Sequence, residues 1–138
     1  KRLSESWNTI LPSKEDMILQ QQTIQHTEMV INLGSSMVFD YVAHNKPCAF
    51  INYDVKNKNI KDWSVEKIYK YVHFRSMPSQ ESVLWLNDPS EIAFKIEIAL
   101  KNRTKTVNHA KDWFKIINLH PIENASDNIV EAINKIIK

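Results

Sequence analysis

The chain's one glycine, Gly34, sits between two apolar runs of different periodicity, and that placement limits the fold more than any other feature. Ahead of it, Met29 to Leu33 is a short apolar run with a single polar interruption, the size of a buried strand. After Gly34-Ser35-Ser36 the spacing changes, and Met37, Val38, Tyr41 and Val42 fall on one face of a helix. Asn45-Lys46-Pro47 ends that helix, because proline has no amide to donate and crowds the preceding turn; Cys48 to Ile51 is a second buried-looking run. The stretch from Glu28 to Asp54 therefore reads as strand, tight turn, helix, turn, strand. Two strands joined by one helix of this length form a parallel crossover unit, and such a unit needs a sheet covered on both faces.

The 138 residues suit one domain with its own core. Eighteen basic residues stand against 16 acidic ones, dispersed without a basic block, so the net charge of +2 does not point to nucleic acid. Cys48 is alone and cannot form an internal disulfide; its apolar flanks predict a buried thiol in a reducing compartment. No apolar run approaches the ~20 residues a membrane helix needs. The chain begins at Lys1-Arg2 with no initiator Met and no signal-like segment, which predicts a piece of a longer protein.

Either side of the central unit, helical patterns dominate. Lys1 to Pro12 holds a short apolar element (Trp7, Ile10, Leu11) read as a strand. Ser13, followed by Glu15 and Asp16, is a helix start, and the helix should run to about His26 with Met17, Ile18, Gln21 and Ile24 on its covered side. Asp54 to Lys61 is a polar surface loop. Asp62 to Tyr71 predicts a helical turn or two with Trp63, Ile68 and Tyr71 available to pack. Val72 to Phe74 reads as a short strand, and Ser82 to Leu86 as another. Asp88 as cap and Pro89 in the first turn open a helix with Ile92, Ile96, Ala99 and Leu100 on one face, ending near Asn102. Two more helices carry Val107, Ala110, Trp113, Phe114 and Ile117, then Ile129, Val130, Ile133, Ile136 and Ile137 after a cap at Ser126 or Asp127. The whole predicts one three-layer α/β/α Rossmann-like domain, residues 1–138, with a parallel sheet and a C-terminal helical tail.

Chemistry concentrates at the strand-to-helix turn. A helix start presents unpaired amides and a partial positive charge to an anion, and Gly34 allows close approach to the backbone while Ser35 and Ser36 add hydroxyls. The plainer alternative is that one serine caps the helix and Gly34 makes the turn. Asp40 lies four residues after Ser36, on the same face and roughly 6 Å further along the axis, where a carboxylate can accept from a ribose diol; its alternative is an ordinary solvent-facing acid. Arg75, after His73 and Phe74, offers a positive charge for a diphosphate, against a plain surface role. His73 is the one histidine near the proposed cleft, and Tyr53 and Trp63, in or beside loops, are the aromatics placed to stack on a base. No histidine has metal-type spacing, so no metal is assigned, and no nucleophile–base pair can be assembled.

Gly34-Ser-Ser-Met-Val-Phe-Asp40, Asn45-Lys-Pro47 and Phe50-Ile-Asn-Tyr-Asp54 resemble the C-terminal signature of the CDP-glycerol glycerophosphotransferases of teichoic acid synthesis. More broadly, they are similar to the nucleotide-binding half of GT-B glycosyltransferases and of the non-hydrolysing UDP-N-acetylglucosamine 2-epimerases. The close match covers about a fifth of the chain. The resemblance implies that Gly34, Ser35, Ser36 and Arg75 face a donor diphosphate and that Asp40 binds the ribose, with Tyr53, Asp54 and His73 lining the cleft. Two departures stand out: Asn32-Leu33-Gly34 replaces the usual aspartate and aromatic, and the Arg-Gly segment expected after Tyr53-Asp54 is absent. A nucleotide-sugar donor is thus matched at least as well as CDP-glycerol.

The implied protein is a cytoplasmic transferase acting at the inner face of the cell membrane, compatible with peripheral association of the full-length enzyme, in bacterial surface polysaccharide synthesis. The chain is its donor-binding half; the acceptor, a glycan or polyol phosphate, is held by an N-terminal domain outside these residues. No cofactor and no nucleic acid are expected, the catalytic base lies elsewhere, and the isolated domain should be inactive. The alternatives are half of a 2-epimerase-like enzyme and a non-catalytic interaction domain that keeps the fold.

Overall fold

The computed structural model describes residues 11–56, 61–118 and 124–137. The element expected between Lys1 and Pro12 lies, but for its last two residues, outside the described ones. Helix α1, Lys14–His26, starts as its sequence requires: the Ser13 hydroxyl accepts from the Asp16 amide, and the Asp16 carboxylate accepts from the Ser13 amide. Its expected covered side is confined to the last turn. Ile24 is buried, whereas Met17, Ile18 and Gln21 are exposed. The C-terminal end is held by the Lys46 ammonium, which donates to the carbonyls of Ile24 at 2.6 Å and Gln25 at 2.7 Å, and by a 2.7 Å hydroxyl pair between Thr27 and Tyr41. Lys46 thus supplies the cation that satisfies helix-end carbonyls.

Strand β1 (Val30–Asn32), helix α2 (Met37–Ala43) and strand β2 (Cys48–Ile51) form the parallel crossover read from the sequence. Strand β3, Leu84–Leu86, extends the sheet in parallel in the order β1-β2-β3, with Val30 opposite Cys48 and Phe50 opposite Trp85. Between β2 and β3 the chain makes α3, Val65–Tyr69, then α4, Val72–Arg75, and a 3₁₀ turn at Gln80–Ser82. The strand expected at Val72 to Phe74 is therefore a helical turn: the amides of Phe74 and Arg75 both return to the Tyr71 carbonyl, at 3.0 and 3.1 Å. Ser82, expected to open β3, belongs to the 3₁₀ turn before it.

Asp88 and Glu91 form a second reciprocal cap around the 3₁₀ turn Pro89–Glu91, which leads into α5, Ile92–Lys101. That helix stops at Asn102 as expected, and α6, Arg103–Asn118, follows directly. Helix α7 spans Ala125–Ile137, so Ser126 and Asp127 lie inside its first turn rather than ahead of it.

Each parallel strand alternates two faces. The face bearing Val30, Cys48, Phe50 and Trp85 packs against Val38 and Val42 of α2, Phe74 of α4, and Val107, Ala110 and Trp113 of α6. Trp113 is fully buried, with its indole N–H on the Ser76 hydroxyl at 3.0 Å; the buried Ser82 hydroxyl donates to the His109 carbonyl at 3.2 Å. These bonds fasten α6 to the segment that leads into β3. On the other face Ala49 and Leu86 are buried and α5 covers β3, while Ile31 on β1 is 42% exposed. The protein is thus a mixed α/β domain built on a small, open parallel sheet.

Candidate functional site at the carboxyl ends of the strands

All three strands reach an asparagine at their carboxyl ends: Asn32 closes β1, Asn52 follows β2 and Asn87 follows β3. Carboxamides there have both donors and acceptors to offer the loops and any ligand. The Asn32 side chain is spent on the turn itself, accepting the Ser35 amide at 3.0 Å and facing the Cys48 sulfur at 3.5 Å. Ser35 then accepts the Met37 amide at 3.2 Å, so Ser35 serves the helix start, whereas Ser36 occupies the cap position without a capping bond from its side chain.

Gly34 has φ +61°, the left-handed region. A Cβ placed on it would lie 2.6 Å from Ile68 Cγ2, 3.1 Å from Tyr69 Cε1 and 3.2 Å from Phe74 Cζ. The glycine is thus required by the approach of α3 and α4, and the side left open for a ligand in the sequence reading is filled by protein. Ser36 remains exposed at the edge.

Asp40 is also exposed, one turn along α2. It lines a groove of about 320 Å³ against α1, with Lys14, Ile18, Ile24 and His44, which neither Gly34 nor either serine enters. Arg75 and His73 sit exposed on α4, the His73 ring against Phe74 at 4.0 Å and parallel to Tyr71 at 6.2 Å. Asp54 accepts the Val65 amide at 2.9 Å and so organises the start of α3; Tyr53 beside it is half-buried. The expected residues therefore divide between the β1–α2 turn, the α1–α2 groove, α4 and the loop after β2.

A pocket of about 400 Å³ opens beside them, lined by Asn52, Tyr69, Phe74, Gln80, Trp85 and Asn87 among others. Tyr69 and Phe74 are shared walls, touching the Gly34 position on one side and the pocket on the other. Asn52 donates to the Asn87 carboxamide oxygen at 2.8 Å, the Trp85 indole N–H to the Gln80 carbonyl at 2.9 Å, and the Tyr69 hydroxyl to the Ile51 carbonyl. Tyr69 and Trp85 meet edge to face with centroids 4.8 Å apart. The one acid in the wall, Glu66, is bonded to Lys70 at 2.6 Å, which holds its carboxyl below the usual range. Burial, with the Cys48 thiol nearby, pushes the Tyr69 phenol up, so it is a neutral donor at physiological pH. The pocket therefore offers amides and aromatic edges, the chemistry that recognises an uncharged polar group.

None of the site residues expected from the sequence lines this pocket. Trp85 lies within the run Ser82 to Leu86 that reads as a strand, and Tyr53 and Trp63, the aromatics expected to stack on a base, are not among the residues of its wall. The sequence signal for it is the asparagine that follows the second and third strand runs, Asn52 and Asn87. Cys48, 1% exposed and with its thiol pushed up by burial to about 12, is no nucleophile. Among the described residues no group of three His, Cys, Asp or Glu side chains is arranged to hold a metal ion. No protein-family model, curated protein or solved structure matches the chain.

Proposed function

We propose that the chain is the donor-binding, C-terminal domain of a GT-B-type transferase that builds a bacterial surface polysaccharide or teichoic-acid-like polymer from a nucleotide diphosphate donor. The observation that carries the reading is the parallel β1-α2-β2 crossover, with a serine turn and an amide- and aromatic-lined pocket at its carboxyl ends. In this reading the sheet is the centre of a three-layer Rossmann-like arrangement, with α5 beginning the second outer layer. The diphosphate lies at Ser36 with Arg75 as its counter-charge, the ribose reaches Asp40 one turn along α2, and the transferred group extends past Tyr69 toward Asn52 and Asn87. Catalysis then consists of positioning and of stabilising the departing diphosphate, with the general base on the acceptor-holding domain.

A second reading, a non-catalytic domain that keeps the fold, is favoured by the internal use of Asn32 and Ser35 and by the protein packed over Gly34. Titration with UDP, CDP, UDP-sugars and CDP-glycerol, followed by amide chemical shifts, separates the two. A donor site gives saturable shifts at Ser35 to Asp40 for every nucleoside diphosphate, and added shifts at Asn52 and Asn87 for those carrying a sugar. Silence throughout at millimolar nucleotide removes the donor-site reading. With the full-length protein, transfer to an acceptor as against formation of a 2-epimer distinguishes the transferase from an epimerase.

A further inference from the structure

The pocket at the carboxyl ends of β2 and β3 has two kinds of wall. Its aromatic wall offers carbon only, because the polar ends of both amphipathic rings are taken: the Tyr69 hydroxyl donates to the Ile51 carbonyl, and the Trp85 indole N–H donates to the Gln80 carbonyl at 2.9 Å. Phe74 and Met77 continue that wall. Tyr69 and Trp85 stand at 81° to each other with centroids 4.8 Å apart, so they form a corner. A corner suits a puckered ring that presents C–H bonds, whereas a flat base is held best in a slot between parallel rings.

The other wall is built from carboxamides. Asn52 donates to the Asn87 oxygen at 2.8 Å, and that one bond leaves the Asn52 oxygen as an acceptor and the Asn87 nitrogen as a donor, neither with a further partner among the described residues. Gln80 adds a second carboxamide. A hydroxyl group donates and accepts at once, so neighbouring free acceptors and donors of this kind match a ligand rich in hydroxyls. Among the described residues that line the pocket there is no lysine, arginine or histidine, and the one acid, Glu66, is ionised and paired with Lys70. An anionic group would therefore meet a carboxylate and no cation in the wall. A volume of about 400 Å³ lets a hexose touch both walls, which glycerol is too small to do.

We propose that this pocket selects a neutral hexose, and that Asn52, Asn87 and Trp85 are the residues that distinguish it from glycerol and from an acidic sugar. This deepens the reading of the pocket as the seat of the transferred group and rests on that reading for the link to a donor. In NMR spectra of the whole chain, UDP and CDP report on the donor site through the amides of Ser35 to Asp40. Free methyl glycosides report on the pocket through the side-chain amides of Asn52 and Asn87 and the Trp85 indole N–H. Among the methyl glycosides of glucose, galactose, mannose and N-acetylglucosamine, at least one should give saturable shifts at these three side chains. Its uronic acid counterpart and glycerol should each bind roughly fivefold more weakly or worse, and Asn87→Ala or Asn52→Ala should weaken the neutral glycoside by a similar factor. Both asparagines are exposed, and unchanged circular dichroism of the variants verifies that the fold is kept. Silence of the three side chains for every neutral glycoside overturns the proposal, even where nucleotides shift Ser35 to Asp40. So does equal affinity for the uronic acid, and so do shifts of the three side chains with UDP or CDP alone, which would put the base in the pocket. Silence at Ser35 to Asp40 for both nucleotides, with a neutral glycoside still bound, removes the donor-site reading and leaves the sugar pocket standing.

Discussion

Gly34 shows how much a single methyl group can matter in this fold. Its φ of +61° disfavours any L side chain, and an alanine methyl would also press on Ile68. Left-handed backbone costs ~1–2 kcal/mol and overpacking a further ~1–3 kcal/mol, so Gly34→Ala should destabilise the domain by about 3 kcal/mol, read from the urea midpoint. Adding Ile68→Ala should cancel part of that loss, because it removes the clash but leaves the backbone strain. The position was legible in the sequence, since a lone glycine between a strand pattern and a helix pattern marks a turn. What it faces was not legible: the neighbours come from α3 and α4, some 35 residues later, and no local pattern announces that contact. The same limit hid the pocket. Trp85 reads as a strand residue from its neighbours, and only the register that sets it opposite Phe50 turns its ring toward Tyr69.

Where elements carry their own start signals, the sequence places them well, and the two reciprocal caps are the clearest cases. Asp88 accepts the Ser90 amide at 2.8 Å, while Glu91 reaches back to the amides of Asn87 and Asp88 at 2.7 and 3.3 Å. Asp88→Ala should cost about 1 kcal/mol, measured by thermal unfolding, because amides at the start of the turn into α5 lose their acceptor. Asp88→Asn, which keeps the oxygen, should recover most of it. Segments without such signals follow their tertiary anchors instead. Val72-His73-Phe74 has strand-forming residues, yet it is a helical turn, because Phe74 is driven inward against Phe50, Tyr69 and Trp113. In α1 the apolar pattern overstated the packing: only the last turn reaches the core, so the helix rests on its caps more than on burial.

The core is concentrated on one face of the sheet, and a thiol is buried within it. Cys48 is protonated in the folded protein, with its thiol raised to about 12 by burial, whereas in the unfolded chain it ionises near 9. A raised folded value means that its contribution is complete below about pH 9 and is lost as pH climbs from there toward 12, because the unfolded state gives up its proton first. By pH 10.5 the loss should reach roughly 2 kcal/mol, with Tyr69 adding to it in the same direction. Urea midpoints from pH 8 to 10.5 should fall accordingly, and Cys48→Ala should flatten part of that slope. Opposite in location is the ammonium of Lys46, seated on the last carbonyls of α1. With its hydrogens directed at two oxygens it is a poor target for acylating reagents compared with the lysines on the outer surface. Once acylated, it would lose both the charge and two donors, and the attachment of α1 would be left to the Thr27–Tyr41 hydroxyl pair and the buried Ile24.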